Sequence, residues 1–332
     1  MSEIILPKSS STVSVKVFNI TSPNSTAPAG RFISPVKSGK ERLYIAVYAF
    51  LIEHPNGRRM MFDLGLRKDL SGYSPVLQRL LSEGKFDMKV EADITEQLKA
   101  GGISLEQIDT VIWSHTHFDH IGDMSLFPPT TKLVIGKGSE RKAYPDLSTT
   151  ECIFLTIGYK GREVEEIDFE KPDLIISGLP AVDFFGDGSF YLLDTPGHCP
   201  GHITALARVK EDSFLLLGGD CCHHPGQLRP NIHIQKNFAY HGDVPTDFSE
   251  PILTIPEGPS AYADRSTALA SLGKIQLLDA NPDIFLVTAH DAILEGIISL
   301  YPEPLNDWKE LGWKSKAIWA FMGEGNKGFG YC

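Results

Sequence analysis

The chain has 332 residues, 42% of them hydrophobic, enough to bury a sizeable core in one large layered domain or two smaller ones. Its formal charge of -11, with no run of Lys or Arg, argues against a nucleic-acid groove or an anionic membrane surface as the principal partner and favours a small-molecule substrate. The five cysteines, Cys152, Cys199, Cys221, Cys222 and Cys332, show no CxxC spacing, so neither a disulfide framework nor a thiolate zinc finger is expected.

Residues 1–40 are rich in Ser, Thr and Pro and are read as an N-terminal arm with one strand-like stretch at 13–19. They lack the basic start and apolar core of a secretory signal, and no apolar run is long enough to span a membrane, so a soluble, cytoplasmic protein is expected. The remainder, 41–332, is read as a single domain. It opens with a continuous apolar strand at 43–52, a Pro55-Asn56-Gly57 turn and a hairpin partner at 59–63. Asp93-Ile94-Thr95-Glu96 has the spacing of a capping box, and the helix it starts should stop at Gly101-Gly102. Further strands are predicted at 132–135, 190–194, 203–209, 214–218 and 284–288, with a helix over 266–279. Strands and a helix, then strands and a helix again, suggest two similar halves folded face to face.

The chemistry-bearing residues follow strand ends. His115, His117, Asp119 and His120 stand within six residues, directly after an apolar run. Imidazole nitrogen and carboxylate oxygen are the donors that zinc and other borderline first-row ions take in open sites. Further on, Asp194-Thr195-Pro196-Gly197-His198 leads a tight loop, Gly218-Gly219-Asp220 ends another strand, and Ala289-His290 a third. A strand end with a sharp turn is a rigid mount for a ligand. Together these positions offer five His and two Asp, enough for two ions.

The motifs HTHFDH at 115–120, TPGHCPGH at 195–202, Gly219-Asp220 and Ala289-His290, with the early turn Phe62-Asp63-Leu64-Gly65, resemble those of the metallo-β-lactamase superfamily over roughly 43–300. The resemblance implies an α/β fold, an αββα four-layer sandwich with the metals at one edge of the two sheets. It implies that His115, His117 and His198 hold a first ion and Asp119, His120 and His290 a second, with Asp220 bridging and Asp63 orienting a ligand. The cofactor expected is two divalent metal ions, zinc first, with Mn, Fe or Co as alternatives. A hydroxide shared between them would attack the substrate carbonyl, and Asp119 could carry the proton to the leaving group.

Within the superfamily the chain is most similar to the N-acyl homoserine lactonase, or quorum-quenching, branch, from its full ligand set, its single-domain length and the spacing of 22 residues from His198 to Asp220. That branch typically has a tyrosine three positions after the bridging aspartate, where this chain has His223, followed by His224. His223 therefore joins Asp119 and Asp220 as a catalytic candidate. The implied activity is hydrolysis of a cyclic ester or cyclic amide, including lactams of the benzoxazolinone type. A thioesterase of the glyoxalase II or carrier-protein-releasing type is the alternative. Insertions are expected at about 139–188, with Phe184 and Phe185, and at 221–262, with His224, Arg229, His233, Lys236, Phe238, Tyr240 and His241, as pocket linings or surface loops. Oligomeric state stays open, a homodimer being one option, since Trp308, Trp313, Trp319 and Phe321 could cover the core or a partner.

Overall fold

The computed structural model describes residues 4, 6–141, 161–240 and 249–323. Its N-terminal half contributes strands β1 (Ser14–Asn19), β2 (Thr26–Pro28), β3 (Arg42–Tyr44), β4 (Tyr48–Glu53), β5 (Arg59–Phe62), β6 (Thr110–Ile112), β7 (Lys132–Gly136) and β8 (Val164–Ile167). The C-terminal half contributes β9 (Leu174–Ile176), β10 (Leu179–Asp183), β11 (Phe190–Asp194), β12 (Ile203–Lys210), β13 (Ser213–Leu217) and β14 (Ile284–Val287). Two six-stranded sheets result, ordered β1-β4-β5-β6-β7-β8 and β14-β13-β12-β11-β10-β9, and β2 and β3 pair as a separate ribbon. The helices are α1 (Pro75–Ser82), α2 (Ile94–Ala100), α3 (Ile232–Asn237), α4 (Arg265–Ala280) and α5 (Trp313–Ala317).

The alternation of a strand explains the layers. Tyr48, Phe50 and Ile52 of β4 pack into the space between the sheets with Phe190, Leu192, Leu215 and Leu217, whereas Ala49 and Leu51 face outward onto Leu77 of α1 and Leu98 of α2. In the second sheet Tyr191 and Leu193 face outward onto Leu272 and Ile275 of α4. Both faces of each sheet are covered, so central strands read as unbroken apolar runs. The order helix, sheet, sheet, helix is the expected αββα sandwich. Each large apolar side chain buried here contributes ~1.5–3 kcal/mol, more than the net ~1 kcal/mol of a typical hydrogen bond. Packing thus holds the layers, and the strand-end loops are left to carry polar groups.

The expected α2 forms with its capping box, Asp93 accepting from Glu96 N–H and Glu96 accepting from Asp93 N–H, and it is capped at Gly101. The single strand expected at 43–52 is instead broken into β3 and β4. The break at 45–47 follows from competing partners: Ile45 N–H donates to Ser25 O at 3.0 Å, and the Ala46 carbonyl turns to a histidine. Within 139–188 the described residues supply the strands β8, β9 and β10, none of which the apolar pattern had marked. α1 was also unmarked, although Ser74 as N-cap and Pro75 in the first turn are a start signal.

One edge of the sandwich collects the strand ends that matter. β5 and β6 run parallel, as do β13 and β14, so 63–65, 113–120, 218–220 and 288–290 all emerge on that edge. The loop after β11 joins them there, since Ile203 N–H, at the start of β12, donates to Ser114 O at 2.9 Å. Among the described residues no helix is long and apolar enough to cross a membrane.

Candidate metal centre

Local structure aims each side chain. Asp63, at φ 60°, accepts from Ser114 N–H at 2.6 Å and from Ser114 Oγ–H at 2.8 Å, and its Oδ2 meets His120 Nδ1 at 2.8 Å. Asp tolerates a left-handed backbone better than most residues, and three bonds to neighbours of β6 hold it there. His115 Nδ1 bonds Ser114 Oγ at 3.0 Å, and His290 Nδ1 bonds the freed Ala46 carbonyl at 2.9 Å. With Nδ1 occupied, these three histidines present Nε2, the outer-shell pattern that fixes ligand tautomers. His202 has a supporting task, since its Nε2 accepts from Asp220 N–H at 3.0 Å while Nδ1 faces Thr195 O at 3.0 Å. Gly219, at φ +50°, has no substitute here, because an added Cβ would lie 2.9 Å from Ser114 Cβ and 3.0 Å from His202 Nε2.

All seven residues expected as ligands converge: His115, His117, His198 and Asp220 form one group and Asp119, His120 and His290 a second, while His223, not expected as a ligand, stands with Asp220 and His290 in a third. In the first, His198 Nε2 lies 2.9 Å from His117 Nδ1, 3.2 Å from His115 Nε2 and 3.3 Å from Asp220 Oδ2. In the second, Asp220 Oδ1 lies 3.1 Å from both His120 Nε2 and His290 Nε2, and His290 Nε2 lies 3.6 Å from Asp119 Oδ2. Four donors placed tetrahedrally at 2.0–2.1 Å around one cation stand about 3.3 Å apart, the scale seen in both groups.

Protonation supports the same fit. Burial, reinforced by neighbouring imidazoles, pushes His115 and His198 well below the usual imidazole value, and burial brings His117 down to about 4, so these rings keep free lone pairs. Burial also opposes charge on His120 and His290, but Asp220, with Asp63 for His120 and Asp119 for His290, outweighs it and leaves both raised. Asp220 is held well below the ordinary carboxylate range: burial raises it, and the surrounding His120, His290, His223 and His115 outweigh that. His120 Nε2 and Asp220 Oδ1 are nevertheless buried without a hydrogen-bond partner among the described residues. An unpaired buried polar atom costs ~1–3 kcal/mol, and two such atoms aimed at one point are what a cation would satisfy.

Over this cluster lies a cavity of about 410 Å³. Its walls are mainly apolar, with Leu77, Leu80, Phe32, Phe86, Phe118 and Tyr262, and its floor includes His117, Asp119, His198 and Asp220. Arg31 is the single cationic side chain among the described lining residues. His223 lines the cavity too, with Nε2 3.1 Å from Asp220 Oδ2. Of the rest of the 221–262 stretch, expected as pocket lining or surface loop, Ser260, Ala261 and Tyr262 line the cavity and the other named residues among those described do not. His224 Nδ1 accepts Gly226 N–H at 2.9 Å as a helix cap, Arg229 is bound to Asp279, and Tyr240 packs on Trp319 at 5.3 Å, so none lines the cavity. His233, Lys236 and Phe238 are also absent from its described lining, and His241 lies outside the described residues. Phe184 and Phe185 do not reach it either. They precede β11 and pack against Phe190, at the start of a strand whose other end feeds the His198 loop. Cys221 and Cys222 are buried, and their mutual bond together with burial pushes the Cys222 thiol well up, so they serve as small apolar groups. Cys152 and Cys332 lie outside the described residues. Sequence reading missed Phe32 and Phe86, and within the 221–262 stretch it did not single out Tyr262; the three come from separate loops with no shared motif.

Residues 45–211 match the family model described as the metallo-beta-lactamase superfamily. The chain is 36% identical over 351 residues to the gamma-lactamase FDB1 of Fusarium pseudograminearum (strain CS3096), an alignment covering 97% of this chain and 84% of that protein. It is 38% identical over 327 residues to the cytochrome P450 monooxygenase mpaDE' of Penicillium brevicompactum, covering 95% of this chain but only 38% of that protein. Among solved structures, an N-acyl homoserine lactone hydrolase with N-hexanoyl-L-homoserine bound at its catalytic metal center aligns with a TM-score of 0.55 at 18% identity, covering 89% of this chain and 99% of that one. The chain belongs to the metallo-β-lactamase superfamily and is a metallo-hydrolase.

Proposed function

We propose that the protein is a dinuclear metal-dependent hydrolase that opens a cyclic ester or cyclic amide, with cyclic amides or carbamates preferred over long-chain homoserine lactones. The observation that carries this reading is the division of seven donors into two groups joined by the two oxygens of Asp220, beneath an apolar cavity. His115, His117 and His198 would hold one divalent cation and Asp119, His120 and His290 the other, zinc being the ion that best suits nitrogen-rich donors of this kind. Bound there, such ions lower the pKa of water and polarise a carbonyl.

The chain's own residues supply the rest. Asp119, on the cavity floor, takes the proton of the attacking water and returns it to the leaving group. His223 stands beside the same floor as a second donor, which matters when the leaving atom is an amide nitrogen that cannot depart unprotonated. The aromatic and leucine walls exclude bulk water and bind an apolar body. Support for a lactam substrate also comes from the gamma-lactamase name of a relative aligned along 97% of this chain. A small-molecule substrate and a cytoplasmic location complete the reading. The test is a hydrolysis panel of lactams, cyclic carbamates, lactones, thioesters and β-lactams on protein of measured metal content. Turnover of cyclic amides ahead of lactones and thioesters supports the proposal; preferred thioester cleavage overturns it.

A further inference from the structure

Arg31 reaches the cavity from outside the shared scaffold, since the family match begins at residue 45. Packing fixes where it stands. Ala29 and Ile33 are buried with Leu43, Ile45 and Leu253, and Phe32 leans on the same cluster, which leaves Arg31 on the exposed side of the turn. Hydrogen bonds pin that turn to three other segments: Ala29 N–H donates to Glu41 O at 2.9 Å, Gln227 Nε2–H to Phe32 O at 3.0 Å, and Ala261 N–H to Arg31 O at 2.8 Å. The guanidinium therefore hangs from a rigid mount.

What it lacks is an anion. Among the described residues the Arg31 guanidinium makes neither an ion pair nor a hydrogen bond, whereas Asp119 and Asp220 belong to the metal centre and Glu140, the remaining acid of the lining, has a partner of its own. In a chain of 42 acidic against 31 basic residues, an unpaired cation beside apolar walls is a place that an anionic group on a bound molecule would complete. The planar fork of a guanidinium matches a carboxylate through two parallel N–H···O bonds. One such cation balances a single negative charge, which favours a carboxylate over a phosphate dianion.

We propose that Arg31 is a specificity-determining residue that pairs with a carboxylate carried on the apolar body of the substrate, so that the preferred substrate is an anionic cyclic amide with its ring at the cavity floor and its carboxylate at Arg31. The proposal rests on the hydrolase reading for the ring and on the 29–33 turn for the carboxylate. Because the side chain is exposed, solvent weakens the pair, and the expected gain is roughly ten-fold, between a surface ion pair and an enclosed charged hydrogen bond.

The test uses the zinc-loaded full chain and the variants Arg31→Met, which keeps the apolar stem, and Arg31→Glu; both retain the backbone bond from Ala261. Calorimetry compares 3-phenylpropionate with its uncharged amide, 3-phenylpropionamide. The carboxylate-to-amide affinity ratio should be roughly ten-fold higher in the parent than in Arg31→Met, a difference that subtracts any carboxylate held by the metal ions instead. It should shrink as salt is raised, and in Arg31→Glu the ratio should fall below that of Arg31→Met. For two lactams that differ only in a carboxylate or a carboxamide on the body, the ratio of kcat/KM values should follow the same order, with the change in KM. An affinity ratio equal in parent and Arg31→Met, or lactams that the parent cleaves equally well whatever their charge, would overturn the proposal and leave the hydrolase reading standing. If neither lactam is hydrolysed, the hydrolase reading fails, and calorimetry still decides whether Arg31 holds a carboxylate.

Discussion

Two buried charged clusters in this molecule are built on opposite principles. Around Asp279 each buried side-chain polar atom has a partner: Arg229 Nε and Nη2 each donate to its carboxylate at 2.7 Å, and Arg229 Nη1 donates to Ile318 O at 3.0 Å. The buried Lys314 ammonium adds bonds to Asp279 O at 2.6 Å, Asn281 O at 2.7 Å and Ile284 O. Around Asp220, by contrast, imidazole nitrogens and carboxylate oxygens face each other with His120 Nε2 and Asp220 Oδ1 unpaired. A buried cluster closed on itself joins parts of the framework, here the 229 loop, α4 and the C-terminal segment. One that leaves convergent donors open is shaped for a ligand. Charge and burial alone would not separate the two; the count of satisfied atoms does.

The sharpest way to break this contrast is to change the central acid on each side. Asp220→Ala is expected to cost several orders of magnitude in turnover, since it removes the oxygens shared by both ligand groups. Native mass spectrometry should count two ions in the metal-loaded parent and one in His290→Ala, and a single ion in the saturated parent would end the dinuclear reading. Arg229→Met should instead lower stability by ~3–5 kcal/mol in urea unfolding, because Asp279 is left buried without its counter-charge. Replacing Asp279 by Leu in the same chain should recover most of that loss. Burial raises the Asp279 carboxyl, but Arg229 outweighs it and holds the folded value below the ordinary 3.8. The pair's stabilisation is thus present above pH 3.8 and lost as pH falls through the folded value, an acid limb that Arg229→Met should lack.

Smaller effects sharpen the picture of the open cluster. His223→Phe should reduce turnover on the best substrate roughly ten- to a thousand-fold with both ions retained, the scale of a positioned acid. Equal rates would return His223 to a packing role. The mildest effect is that of pH on metal uptake. His120 and His290 are raised above 6.5, so the metal-free protein keeps protons there that a cation must displace. Affinity should rise with pH above 6.5, by up to about ten-fold per unit for each proton displaced, and level off once both rings are neutral. Calorimetry in buffers of different ionisation enthalpy measures that release directly; no buffer dependence would show the rings already neutral.

The ligands were legible in the sequence because each sits in a short stretch whose local chemistry leaves few alternatives. An apolar run ends at HTHFDH, a Pro-Gly turn holds His198, and Gly219, next to Asp220, admits the close approach of its backbone to Ser114 and His202. Strand periods and the Asp93 capping box likewise placed α2, α4 and most central strands. What only the tertiary structure decided are the partnerships between distant positions. Ala46, 244 residues from His290, gives up its place in a strand to orient that ring, and Tyr262 reaches back 39 residues to His223. Arg229, in a stretch expected to face substrate, is claimed by Asp279 on α4. Residue type and spacing determine which atoms can donate or accept; which of them meet is set by how two sheets and their helices pack, and that information is not local to any motif.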